Sequence, residues 1–148
     1  MTGTVNTSTA NFLSIDRDSA DVILGGNDFI SGSLKNSTGA AIEYKAGTLL
    51  GRVSTTGDLK VLESTAVDGS QFVVGILAET FTIDGGSAQS VPVAVSGMID
   101  EDMVIFGAAD SLSKFDAVVS GRRLRDRIAG DTQGIELVKS TQLSGFDN

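Results

Sequence analysis

The chain has 148 residues and a mass of 15.2 kDa, and its 41% hydrophobic content suffices for one domain with a buried core. It contains neither cysteine nor histidine, which excludes disulfides, thiolate or imidazole metal sites, Cys nucleophiles and Ser-His triads. A formal net charge of −8 speaks against a duplex-binding surface, because phosphate affinity comes from Lys and Arg, and points to a soluble, self-repelling protein.

No apolar run approaches the roughly 20 residues of a membrane span. The first residues, "MTGTVNTSTANF", lack the basic start and apolar stretch of a secretory signal, so an intracellular product, or one released only on cell lysis, is expected. Eighteen glycines against one proline, few aromatics and many Val, Ile and Thr describe short strands joined by tight turns. The composition predicts a mainly β domain.

Residues 1–16 are rich in Thr, Ser and Asn and read as an extended amino-terminal arm, with residues 17–148 as a single β-rich domain. Within the arm Phe12, Leu13 and Ile15 stand out, since an unpacked segment holds large apolar residues when they dock elsewhere; the alternative is that they begin the first strand. In "VILGGNDFISGS", Val22 to Ser33, an apolar run, a Gly-Gly-Asn turn and a second apolar patch follow one another. "GTLLGRVSTTGDLKVLE" predicts strand, turn and strand, reversing at Thr55, Thr56 and Gly57. A turn at Asp68 to Ser70 leads into a strand over Phe72 to Ala78, and Asp84, Gly85 and Gly86 mark the bend before the next one. In "SVPVAVSG", Val91, Val93 and Val95 point one way and Pro92 and Ala94 the other, while Pro92, with no amide to donate, predicts an edge or a bulge. One helix is predicted between Ser120 and Gly130, with Leu124 and Ile128 on one face, a serine cap before it and glycine after. A last strand, "GIELVKS", closes the pattern.

Few constellations carry chemistry. Asp16, Asp18 and Asp21 resemble the start of a calcium loop, but Asp21 stands where the sharp turn needs glycine and Asn27 where a bidentate Glu belongs. Asp100, Glu101 and Asp102 are consecutive, so their side chains diverge and read as a solvated turn. No Gly-rich stretch has the lysine and hydroxyl spacing of a phosphate loop, and the single Tyr and absent Trp leave no platform for sugars. Arg122, Arg123, Arg125 and Arg127 form the sharpest charge feature: a solvated helix face, or a contact with an acidic partner or neighbouring subunit. No catalytic residue, metal or cofactor is expected.

The stretch from Ala46 to Val104 resembles the head-decoration proteins of tailed bacteriophages, the lambda type. The motifs that carry the likeness are Gly47, Leu50 and Gly51; Gly69, Ser70, Gly75, Ile76 and Leu77; Asp84 and Gly85; and Val91, Pro92, Val93 and Gly97. "RRLRDRIAGDTQGIELV" is similar to the family's helix-then-strand ending. The resemblance implies a β-clip-like or barrel-like domain with one short helix near the carboxyl terminus. It also implies no enzymatic activity, no nucleic-acid or membrane partner, and a homotrimer on the outside of the virion. There it would bind the major capsid protein at three-fold and quasi-three-fold positions, with an amino-terminal arm that orders on binding. Two readings compete with it. One is a trimeric β-hydrolase of the dUTPase type, for which "GRVS", Gly51 to Ser54, is a fragment of a phosphate motif. The other is a minor head fibre or adhesin subunit.

Overall fold

A computed structural model describes residues 22–107, 118–119, 122–132 and 134–139. Strands β1 (Ile23–Gly25) and β2 (Phe29–Lys35) flank the Gly-Gly-Asn turn, and β3 (Ile42–Tyr44) follows. Next come β4 (Leu49–Arg52) and β5 (Leu59–Val61), whose reversal closes with hydrogen bonds from the Val53 amide to the Asp58 carbonyl and from the Gly57 amide to the Val53 carbonyl. The chain continues through β6 (Val73–Leu77), β7 (Phe81–Ile83), β8 (Ala88–Ala94) and β9 (Gly97–Asp100) into a 3-10 turn at Glu101–Met103. Beyond it lie β10 (Val118–Val119), β11 (Arg122–Arg123), helix α1 (Leu124–Asp131) and β12 (Ile135–Val138).

The mainly β expectation is met by a closed five-stranded barrel in the order β2-β5-β4-β6-β8. Closure is a short parallel contact at Leu34 and Leu59; the other neighbours are antiparallel. Every barrel strand contributes to one core: Leu34, Leu50, Leu59, Leu77, and Val91 with Val93. The antiparallel ribbon of β3 and β7 joins it through Tyr44 and Ile83.

A second core lies against the barrel's outside. Leu49, Val73, Ile76 and Ala94 pack there against Ile99 of β9, Ile128 of α1 and Ile135 of β12. β9 is the middle strand of a three-stranded sheet, antiparallel to β1 and parallel to β12. β6 and residues 91–94 of β8 are therefore buried on both faces and read as apolar runs, while residues 88–90 of β8 are exposed. The period of two in β8 survives as a division of labour: Val91, Val93 and Val95 enter the barrel core, and Ala94 the second core.

Three local expectations change. Pro92 lies on no outer edge, because β8 pairs with β2 along its length and with β6 at Val93 and Ala94. It sits where the β6 ladder ends, its carbonyl accepting the Ala78 amide at 3.1 Å, so its missing donor costs little. The helix starts at Leu124 rather than after Ser120, because Arg122 and Arg123 pair with Val119 and Val118 as strand. Gly130 lies within its last turn, and the end is closed by Thr132, whose hydroxyl donates to the Ile128 carbonyl at 2.6 Å and accepts the Ile135 amide at 3.1 Å.

Candidate functional site

Among the described residues the fold leaves unfilled a groove of about 380 Å³ beside Val22 and another of about 370 Å³ beside Tyr44 and Leu62. The first is lined by buried Val22, Ala46 and Val104, by Met103 and Ile105, which remain 39% and 37% exposed, and by the polar or charged Glu43, Lys45, Thr80 and Asp102. Its walls are clamped backbone to backbone. The Ile105 amide donates to the Gly47 carbonyl at 2.9 Å, and the Leu49 amide to the Ile105 carbonyl at 3.0 Å. Gly47 has φ +101°, and a Cβ there would run into the Met103 carbonyl, so only glycine lets the two segments approach. Two further apolar side chains stand on the loop between β5 and β6: Val67 at 94% exposure and Phe72 at 54%.

Some of the charged groups are committed to the fold itself. Arg125 donates to both oxygens of Glu101, at 3.1 and 2.7 Å, tying α1 to the 3-10 turn. This paired hydrogen bond holds the nearly buried Glu101 carboxyl below the usual carboxylate range. Arg127 is 5% exposed and donates to the Gln71 carbonyl, while its Nη1 is buried without a hydrogen-bond partner. Two members of the predicted arginine cluster thus serve their own chain. Arg122 and Arg123 form β11, and their side chains fall outside the described residues.

Asp100 accepts the Asp102 amide at 3.0 Å and Glu101 turns to Arg125, so the acidic triplet diverges as its spacing predicts, but it is not the solvated turn expected: Asp100 and Glu101 are buried, held by the turn's own amide and by Arg125. Among the described residues no three acidic, His or Cys groups are placed to hold a metal, and no helix is long and apolar enough to cross a membrane. Asp16, Asp18 and Asp21 lie outside the described residues, as do Phe12, Leu13 and Ile15. The Gly51 to Ser54 stretch is used structurally. Arg52 donates across its hairpin to the Gly57 carbonyl at 3.2 Å, and Gly51 lies so close to Ser70 that a Cβ would strike the Ser70 backbone. On the same surface Lys60 bridges Glu63 at 2.8 Å and Asp68 at 3.6 Å, and the Glu63 hydrogen bond raises the pKa of the lysine.

Sequence reasoning missed the groove. Its one visible signal is the apolar pair Val104 and Ile105 directly after an acidic turn, which reads equally well as an ordinary strand.

A double-cored barrel with apolar side chains left on its surface is suited to lie against another protein. A protein-family model matches residues 26–123, well over half the chain, and gives that role its class: a structural head-decoration protein of the bacteriophage virion, carried on the capsid. The chain belongs to the bacteriophage lambda head decoration protein D family. The match extends the resemblance upstream to Gly26 and ends at Arg123, before α1. No curated protein matches the chain.

Proposed function

We propose that the protein binds the major capsid protein as a homotrimer, on the outside of the expanded head at three-fold and quasi-three-fold positions, and stabilises the shell against the pressure of packaged DNA. The family match over residues 26–123 carries this reading. Binding to the assembled shell and not to its separated subunits stabilises the assembly by linkage. Three arms on one trimer act together, so weak docking by each yields firm attachment overall.

Residues 1–16 are the capsid-binding arm and residues 17–148 the decoration domain, with Phe12, Leu13 and Ile15 as the anchors. An arm of this kind adds to an exposed strand edge on the capsid protein, the backbone supplying affinity and the anchors specificity. Because Arg125 and Arg127 are engaged within their own chain, partner or subunit contact by the basic cluster falls to Arg122 and Arg123.

The test is quantitative co-sedimentation with undecorated, expanded heads, comparing the full chain with one beginning at Arg17. Saturable binding lost on truncation supports both decoration and the arm. Binding that survives truncation moves the contact to the β-domain, and absence of binding by the full chain to its cognate heads removes the proposal.

A further inference from the structure

The chain contains two Asp-Gly dipeptides, Asp68-Gly69 and Asp84-Gly85, and the fold treats them in opposite ways. Aspartate before glycine is the pairing most open to ring closure, because the backbone nitrogen of a residue without a Cβ is easily approached by the preceding side chain. At the first dipeptide both reacting groups are engaged. Asp68 Oδ1 accepts the Ser70 amide at 3.0 Å and the Ser70 hydroxyl, Oδ2 lies 3.6 Å from Lys60 Nζ, and the Gly69 amide donates to Gln71 Oε1 at 2.8 Å.

At the second dipeptide neither group is engaged. Asp84 and Gly85 are exposed, and among the described residues neither the Asp84 carboxylate nor the Gly85 amide has a hydrogen-bond partner. The restraints fall on either side of the pair. The Asn36 side chain donates to the Ile83 carbonyl at 2.8 Å, the Gly86 amide donates to the Asn36 carbonyl at 2.9 Å, and the Ser87 amide closes the bend on the Asp84 carbonyl at 3.1 Å. The two described asparagines are not competing sites. Asn27 donates to the Ser96 and Met98 carbonyls and accepts the Gly25 amide, and buried Asn36 donates to the Ala40 and Ile83 carbonyls.

We propose that Asp84-Gly85 is a site of spontaneous covalent modification in the folded protein, where aspartate rearranges to isoaspartate. The Gly85 nitrogen attacks Cγ of the protonated Asp84 carboxyl. The new N to Cγ bond forms, and the carboxyl hydroxyl leaves with the amide hydrogen as water, giving a cyclic succinimide. Water then opens the ring at either carbonyl: at Cγ it restores aspartate, and at the main-chain carbonyl it leaves the backbone running through Cγ. No electrons are transferred, and no co-reactant other than water is needed. The product carries an extra methylene in the main chain between β7 and β8. The insertion falls beside the last pair of β2 with β8, Lys35 with Ala88, so it loosens the backbone bonds that join Asn36 to Gly86 and to Ser87.

The folded full chain is incubated in warm buffer and mapped by peptide mass spectrometry with electron-based fragmentation, which separates isoaspartate from aspartate. Protein isoaspartyl methyltransferase counts the total. The same incubation in urea gives the intrinsic rate of each dipeptide, and there the two should react alike. In the folded chain isoaspartate should form about tenfold or more faster at Asp84 than at Asp68, which reacts only after its bonds to Ser70 and those of Gly69 to Gln71 open. Asp84→Glu keeps the charge at an exposed position while disfavouring the ring, and it should lower the methyltransferase count. Gly85→Ala is unsuitable, since its Cβ would strike the backbone of Gly39. Equal folded rates at the two sites overturn the proposal, as do modification of Asp84 only after unfolding and a count undiminished by Asp84→Glu. Hydrogen exchange at the Asn36 and Gly86 amides should be faster in the modified chain than in the fresh one; unchanged exchange overturns the assigned loosening. No heads enter the measurement, so its outcome is independent of the capsid reading.

Discussion

At the scale of single residues, the Glu101 and Arg125 pair has a consequence in pH. The Glu101 carboxyl has a lower pKa folded than the roughly 4.3 of an unfolded glutamate, so the pair stabilises fully above that value. Its contribution is lost as pH falls through the depressed folded pKa. Arg125→Ala should cost about 1–2 kcal/mol at pH 7, the range for a charged hydrogen bond reduced because Arg125 is one-third exposed. The difference from the parent should shrink toward zero in acid, as urea titrations at several pH values would show. Glycines offer a second contrast. Gly51→Ala places a methyl group against the Ser70 backbone and should cost about 1–3 kcal/mol. Gly39→Ala meets nothing within 4 Å and should be neutral or stabilise by up to about 1 kcal/mol.

At the scale of elements, turns were more legible than pairings. The Gly-Gly-Asn, Thr-Thr-Gly and Asp-Gly-Gly bends all lie where their residues predict, because a tight turn is decided by a few local φ and ψ preferences. Pairing is decided across the molecule: β7 bonds not to β8, its successor, but to β3, a strand with no clear signal of its own. Buried Asn36 holds this arrangement. Its side-chain amide donates to the Ala40 and Ile83 carbonyls, both at 2.8 Å, and its oxygen accepts the Thr38 amide at 3.0 Å. Asn36→Ala should cost about 1–3 kcal/mol, since it removes the buried hydrogen bond to the Ile83 carbonyl. It should also speed hydrogen exchange in β3 and β7 more than in β4 or β6. The arginine cluster shows the limit of reading charge from composition. Its members Arg125 and Arg127 read as parts of one basic cluster, yet one reaches a glutamate 24 residues away and the other the Gln71 carbonyl.

At the scale of the whole molecule, two cores share the strands β4, β6 and β8. A cavity in the barrel is therefore felt in the outer sheet as well. Leu59→Ala removes a fully buried side chain from the barrel core and should cost about 2–5 kcal/mol. One cooperative transition is expected, seen alike by circular dichroism and by exchange in β9 and β12; separate transitions would show that the cores unfold independently. The proposed assembly makes a measurable claim too: light scattering should give three times 15.2 kDa in solution, and a monomer mass would remove the trimer.

While the two-sided burial of the central strands came from the tertiary structure, the amino-acid sequence by itself determined the β class, the turns and the family. Each of these is written in local chemistry: glycine and asparagine at bends, β-branched residues at a period of two, and a spaced set of motif residues from Gly47 to Gly97. The chemistry that is missing was equally legible, because a chain without Cys or His cannot hide them. Only the tertiary structure decided that β2 and β5 close a barrel, that Arg127 is buried, and that Val22, Ala46, Met103 and Ile105 come together as a groove. Those outcomes depend on which segments approach one another across more than 20 residues of chain, for example at the parallel contact of Thr48 with Ile105. Packing of the whole core settles such contacts, and no local preference encodes them.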